Sequence, residues 1–244
     1  PMRKYSFNEG FAAGTVAAGG TMGILIPPSA ALIVYGILTE QSIGDLFIAG
    51  IIPGIITILL YITVIWLVAR FWPHLAPRAP KSSWSVRWHT LSKIWAVLAL
   101  FLIIIGGISF GVFTPTEGGG IGAIGALLFA IARKKMDLKI FFYGLVEAAE
   151  TSAMIFTIAF GALILNNFVN IAEMPNDIVN FIKSLEIAPI YVILVVLAIY
   201  ILLGTIIEGL AMIFLTVPIF VPLVDAMGFD LIWFGIVMVM VVEI

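Results

Sequence analysis

Two adjacent prolines sit inside an apolar run, from about Phe11 to Leu38, that is long enough to cross a bilayer. The central stretch reads Gly19-Gly20-Thr21-Met22-Gly23-Ile24-Leu25-Ile26-Pro27-Pro28-Ser29. Proline has no backbone N–H and restricts the residue before it, so a continuous helix cannot pass through Pro27-Pro28. In hydrocarbon the freed carbonyls and amides need partners, which is tolerable only where the break is buried in protein or lines a cavity. A helix broken at membrane depth is the device with which secondary transporters hold ions and substrate.

Composition agrees with a membrane setting. Of 244 residues 62% are hydrophobic and 11% charged, with a mean hydropathy of +1.20, whereas a soluble domain is roughly half apolar and about a quarter charged. The fold class expected is an all-α polytopic membrane protein. The net charge of −2 says little, because the placement of Lys and Arg sets membrane topology. The chain has no Cys, so no disulfide framework, thiolate metal site or cysteine nucleophile is available. His74 and His89 share the most polar loop, which argues against a histidine metal site. No Ser–His pair, HExxH motif, paired intramembrane aspartates or nucleotide loop is present, so no enzyme, cofactor or nucleic-acid partner is expected. Pro1-Met2-Arg3-Lys4 has no signal-peptide pattern and does not read as a natural start.

In chain order, Phe7–Leu38 is the broken span and Glu40–Asp45 a short acidic loop. Leu46–Phe71 is an apolar helix with Pro53 near its start, where a missing N–H costs least. Trp72–Lys93 is polar, with Arg78, Lys81, Arg87 and Lys93, and is flanked by Trp84, Trp88 and Trp95 as headgroup-level anchors. Ile94–Gly111 is a further span, followed by Thr114-Pro115-Thr116-Glu117 and a Gly-rich helix, Gly118–Ala132. The Thr114 segment reads as a turn and N-cap, with Glu117 on the favourable dipole end; a substrate site there is the weaker reading. Gly118, Gly119, Gly120, Gly122 and Gly125 read as close helix packing, since no Walker lysine follows. Leu138–Glu150 is amphipathic, as an interfacial helix is, with Glu147 and Glu150 on a solvated face, and Thr151–Val169 then crosses.

Assigning basic loops to the cytoplasm gives a consistent alternation. Arg3-Lys4, Arg70–Lys93 and Arg133–Lys139 fall inside; Glu40–Asp45, Thr114–Glu117 and Glu173–Glu186 fall outside. If Pro189–Asp225 crossed twice, each crossing would have about 16 residues, against the roughly 20 that a span needs. A re-entrant hairpin fits better: in along Pro189–Leu203, a tip at Gly204–Gly209, out along Leu210–Val224. Tyr5-Ser6-Phe7-Asn8 and Met227-Gly228-Phe229-Asp230 open the first and last apolar runs in the same way but from opposite sides, as inverted repeats do.

Several blocks resemble a known family. Gly20–Ser29, Tyr35-Gly36-Ile37 and Thr39–Gly44 look like the large membrane subunit of TRAP transporters, the tripartite ATP-independent periplasmic transporters of DctM or SiaM type. Gly111–Glu117, Thr216-Val217-Pro218-Ile219-Phe220 and Trp233-Phe234-Gly235 match further blocks in the same order. The resemblance implies an elevator-type, inverted-repeat ion-transporter architecture. It divides the chain into 1–45, a broken helix of the transport domain; 46–137, scaffold helices with a cytoplasmic loop 72–93; 138–187, an interfacial and a crossing helix; 188–225, the periplasm-facing re-entrant hairpin; and 226–244, the start of a second broken helix. The chain then reads as a central-to-C-terminal fragment, with a second Pro-Pro break expected beyond Ile244.

The resemblance also implies sodium-coupled uptake of small carboxylate-bearing substrates, C4-dicarboxylates or sugar acids, across the bacterial inner membrane. A periplasmic binding protein (DctP or SiaP type) would deliver the substrate, and a small membrane subunit (DctQ or SiaQ type) would brace the permease. The alternative is another broken-helix symporter or antiporter working without a binding protein. The candidate site residues are Gly20, Thr21, Gly23, Pro27, Pro28 and Ser29 at the break, with Thr205, Glu208 and Gly209 at the hairpin tip. Na⁺ is expected at Gly20, Thr21, Gly23 and Glu208. A half-helix ending near Met22 aims free carbonyls at the gap, while one starting after Pro28 presents N–H groups suited to a carboxylate. Glu208 could bind the cation, fix the tip through backbone N–H groups, or simply be solvated. Family members often carry Ser or Thr after the acidic residue, where this chain has Gly209, so a hydroxyl ligand at that position is not expected, and Thr205 is the substitute.

Overall fold

The computed structural model describes residues 7–77, 83–92 and 94–242, and among these every regular element is a helix. Arg3-Lys4, Tyr5-Ser6, Arg78, Lys81, Lys93 and Glu243 lie outside the described residues. The helices are α1 Glu9–Leu25, α2 Ala30–Thr39, α3 Ile43–Phe71, α4 Trp84–Leu91, α5 Trp95–Ser109, α6 Pro115–Ala132, α7 Leu138–Ile171, α8 Met174–Ser184, α9 Pro189–Gly204, α10 Gly209–Ala226 and α11 Leu231–Val242. Five stretches have the length and apolarity of a membrane crossing: Glu9–Thr39 (α1 and α2 together), α3, α6, α7 and α10. The apolar surfaces of α3 and α7 are largely exposed, with Ile52, Leu60, Phe160 and Ile164 among the open side chains, as surfaces that face lipid are.

Polar caps set most of the helix starts. Asn8 accepts from the Phe11 amide (3.1 Å), Asp137 from Ile140 (2.7 Å) and Asp230 from Trp233 (2.7 Å), each satisfying an amide that the helix itself leaves unpaired. Asn8 and Asp230 are the two short polar residues of the matched openings, and both act as N-caps. Thr114 and Glu117 form a reciprocal capping box: the Thr114 amide and hydroxyl both donate to Glu117 Oε2, and the Glu117 amide donates to Thr114 Oγ1. The structural reading of Thr114–Glu117 holds.

Four expectations need correcting. The acidic loop is only Glu40–Ser42, because Ser42 caps a helix that begins at Ile43: Asp45 N donates to its Oγ and Leu46 N to its carbonyl. Pro53 therefore lies in the interior of α3 rather than near its start. The interfacial and crossing helices are one continuous α7 of 34 residues, about 50 Å long at 1.5 Å per residue. Neither Gly nor Pro stands at the Glu150–Thr151 junction, and the Thr151 and Ser152 hydroxyls fold back onto the Glu147 and Ala148 carbonyls. Finally, the polar stretches 72–93 and 173–186 each contain a helix, α4 and α8. In α4, Arg87 lies 5.0 Å over the Trp84 ring, a cation–π contact. In α8, Pro175 is buried while Phe181 is open.

The chain divides into two compact units, one reaching to Pro28 and including Gly50–Ala126, the other comprising Ser29–Ala49 and Leu127 onward. In the second unit α10 is the central post, packed against α2, α7, α8, α9 and α11. α9 and α10 form an antiparallel hairpin. Tyr200 meets Thr216 and Phe220 across it, and Gly204 faces the Met212 methyl. The core of this unit holds Leu32, Tyr35, Leu46, Phe47, Tyr200 and Phe234, all buried.

In the first unit Gly118, Gly122 and Gly125 of α6 face α5. A Cβ at Gly118 would stand 3.1 Å from Ile108 Cδ1, one at Gly122 would stand 2.9 Å from Ile104 Cδ1, and one at Gly125 would collide with Leu100. Small residues at such spacing let two backbones approach closely in a membrane. Gly119 and Gly120, expected to pack closely as well, instead have open space where a Cβ would stand, because they lie on other faces of α6. Gly122→Val and Gly125→Val are therefore expected to destabilise the detergent-solubilised protein by about 1–3 kcal/mol through overpacking. Gly120→Ala is expected to stabilise it by up to about 1 kcal/mol through helix propensity. Thermal melts of the three variants check this.

Candidate functional site

The first half of the broken span ends where its donors end. α1 runs to Leu25, three residues beyond the Met22 end expected, and the Ile26 amide closes the last bond on the Met22 carbonyl at 3.4 Å. The next two carbonyls, of Gly23 and Ile24, have Pro27 and Pro28 at their i+4 positions, and proline has no N–H to give. The Pro-Pro pair thus strips donors from two particular oxygens as well as halting the helix. Pro27 is buried and Pro28 exposed, and the peptide between them is cis.

Gly20 and Gly23 have open space where a Cβ would stand, so nothing screens the neighbouring carbonyls with a side chain. The Thr21 hydroxyl donates to the Ala18 carbonyl at 3.1 Å. That uses its proton and leaves its lone pairs as acceptors.

The second half starts with Ser29, which is 2% exposed. Its Oγ accepts from the Leu32 amide at 3.2 Å and its carbonyl from Ile33 at 3.0 Å. Ser29 is thus the N-cap of α2. The Ala30 and Ala31 amides, in the first turn, have no intrahelical acceptor. They form the positive end of α2.

At the hairpin tip, Gly204 closes α9, Gly209 opens α10, and Thr205–Glu208 joins them. The Ile206 and Ile207 amides both bond to the Leu203 carbonyl (2.9 and 2.8 Å). Glu208 is the N-cap of α10, its Oε2 accepting from the Ala211 amide at 3.0 Å. It is exposed, and it fixes the tip through a backbone N–H, one of the three roles expected of it. The Thr205 hydroxyl donates back to the Leu202 carbonyl at 2.7 Å.

The candidate residues divide by unit. Gly20, Thr21, Gly23, Pro27 and Pro28 belong to the first, and Ser29, Thr205, Glu208 and Gly209 to the second.

Sequence reasoning passed over the buried hydroxyl pairs of the second unit. Tyr200 and Thr216 are 2.7 Å apart, and the Tyr35 hydroxyl donates to the Leu231 carbonyl at 2.6 Å. A tyrosine in the middle of an apolar helix was the available signal, since a buried phenol needs a partner. Asn166 Oδ1, buried in the second half of α7, has no partner among the described residues.

A chain of apolar, membrane-length helices with a Pro-Pro interruption and a capped helical hairpin is a multi-pass integral membrane protein of the broken-helix class. The family described as "Tripartite ATP-independent periplasmic transporter, DctM component" matches residues 1–244, and the chain belongs to that family. It is 34% identical to the C4-dicarboxylate TRAP transporter large permease protein DctM of Pseudomonas aeruginosa, over all of this chain and 57% of that protein. It is 30% identical to the sialic acid TRAP transporter large permease protein SiaM of Vibrio cholerae, over 98% of the chain and 56% of that protein. It is 32% identical to the 2,3-diketo-L-gulonate TRAP transporter large permease protein YiaN of Escherichia coli, again over 98% and 56%. The chain thus spans little more than half the length of these curated relatives. Membership sets it among TRAP large permeases rather than other broken-helix carriers.

Loss of the Ser29 cap should be visible locally. Ser29→Ala is expected to cost about 1 kcal/mol, raising amide exchange in the first turn of α2 several-fold. Ser29→Gly should cost only a few tenths of a kcal/mol. Hydrogen exchange read at Leu32 and Ile33 distinguishes the two.

Proposed function

We propose that this chain is part of the large permease subunit of a transporter that imports a small carboxylate-bearing substrate across the bacterial inner membrane, driven by sodium. The observation that carries the reading is the pair of proline-stripped carbonyls at Gly23 and Ile24, which end α1 with oxygens suited to a cation. Thr21, with lone pairs free, adds an acceptor one turn earlier or less. The unpaired amides at the start of α2, with Ser29 beside them, suit a carboxylate. The names of the relatives point the same way: C4-dicarboxylate, sialic acid and 2,3-diketo-L-gulonate are all carboxylate-bearing.

α9, at 16 residues, is about 24 Å long at 1.5 Å per residue, short of the roughly 30 Å hydrocarbon core. This supports a hairpin that enters and leaves on one side, with its tip at membrane depth. There the exposed Glu208 carboxylate holds the α10 amide with one oxygen and offers the other to a cation. By analogy with the family's tripartite organisation, the substrate arrives on a periplasmic binding protein and a small membrane subunit braces the permease. The transport domain moves as an elevator, and the chain acts as a carrier with no chemical turnover.

Uptake into proteoliposomes holding the full-length permease and its partners tests the reading. Thr21→Val is expected to raise the half-saturating sodium concentration roughly tenfold, the loss of one oxygen contact to a charged group, while leaving membrane insertion intact. An unchanged sodium curve removes Thr21 from the site. Glu208→Gln is expected to cut uptake at least tenfold, whereas Glu150→Gln, on an exposed part of α7, leaves it near wild type. Equal, mild effects of the two would show Glu208 to be an ordinary solvated cap.

A further inference from the structure

Three motif blocks that no site residue absorbs, Tyr35-Gly36-Ile37, Thr216–Phe220 and Trp233-Phe234-Gly235, converge on one buried cluster in the second unit. Tyr35, in α2, is fully buried. Its hydroxyl donates to the Leu231 carbonyl at 2.6 Å, across 196 residues of sequence. Its ring occupies the space that a side chain at position 235 would need: a Cβ on Gly235 would stand 2.7 Å from Tyr35 Cδ1. Leu231 and Gly235 are one helical turn apart in α11, so the phenol rests in a notch made by a glycine and bonds to the carbonyl above it.

The cluster continues into the hairpin. Tyr200 of α9, also fully buried, lies 6.4 Å from the Phe234 ring and 5.5 Å from Phe220. The Thr216 hydroxyl gives its proton to the Met212 carbonyl at 2.7 Å, so the Tyr200–Thr216 bond of 2.7 Å has Tyr200 as its donor. α2, α11 and both arms of the hairpin are thereby joined by hydroxyl bonds and ring contacts in a buried interior. The candidate ligands of this unit sit at the ends of those same elements: Ser29 begins α2 and Glu208 begins α10.

We propose that Tyr35 is a positioning residue, which locks α2 to α11 through Leu231 and Gly235 so that the Ser29 end of α2 and the Glu208 tip of the hairpin keep a fixed register during binding. The proposal rests on the reading of the chain as a sodium-coupled permease. Tyr35→Phe isolates the hydroxyl. It keeps the ring in its notch and leaves the Leu231 carbonyl its helical partner, the Gly235 amide, so no buried acceptor is orphaned.

The test uses the full-length permease with its partners in proteoliposomes, and melting of the same preparations. Tyr35→Phe is expected to raise half-saturating sodium and substrate about fivefold to tenfold, as loss of one buried hydrogen bond does. Maximal rate should stay within about twofold and the melting temperature fall by only about 2–4 °C. Gly235→Ala, which drives the ring from its notch, should move half-saturation in the same direction, and Tyr191→Phe, on the exposed side of α9, should change nothing. A Tyr35→Phe protein that melts early and runs slowly with unchanged half-saturation would show a mere brace and overturn the proposal, as would wild-type behaviour throughout. Wild-type proteoliposomes without sodium-stimulated uptake would overturn the permease reading itself, and this is seen before any variant is compared.

Discussion

Backbone hydrogen bonding in a medium without water is the constraint from which the rest of this structure follows. Each amide and carbonyl in hydrocarbon must find a partner in the protein, since leaving one bare costs several kcal/mol. The helices meet that requirement along their length, and side-chain caps meet it at many of their starts: Asn8, Ser29, Ser42, Thr114, Asp137, Glu208 and Asp230 each accept from an amide in the first turn. Against that background the oxygens of Gly23 and Ile24 stand out, because the residues that would have served them are prolines.

The break and the hairpin share a logic. Both put the end of one helix and the start of another at the place where the chain reverses or interrupts itself, and both start the second helix on a side-chain oxygen, Ser29 Oγ or Glu208 Oε2. Helix ends carry partial charge, so these are the points at which an apolar protein can meet an ion without burying a full charge of its own. Glu208 differs in carrying a formal charge, and it is exposed.

Much of this could be read from the residues alone, where local chemistry decides the outcome. Pro27-Pro28 had to end a helix, and Thr114-Pro115-Thr116-Glu117 had to begin one. All five glycines of Gly118–Gly125 read as close packing, and this holds for Gly118, Gly122 and Gly125, against Ile108, Ile104 and Leu100, but not for Gly119 and Gly120. The misreadings came from weaker local signals. Ser42 with Asp45 is a start signal that the acidic loop hid, and missing it placed Pro53 at the wrong point of α3. α4 and α8 are short and polar, so apolar run length does not find them. The Tyr35–Leu231 bond joins residues almost a chain length apart, and no periodicity encodes a contact of that kind.

The prolines of α10 carry a consequence for how the protein is made. Pro218 and Pro222 lie inside that helix and leave the Phe214 and Pro218 carbonyls without helical donors, so α10 is poorly suited to stand alone in lipid. Its surroundings are supplied by α2, α7, α8, α9 and α11, and α11 leaves the ribosome after it. Most of the packing around α10 thus comes from helices made before it, and the rest is completed by one made after it.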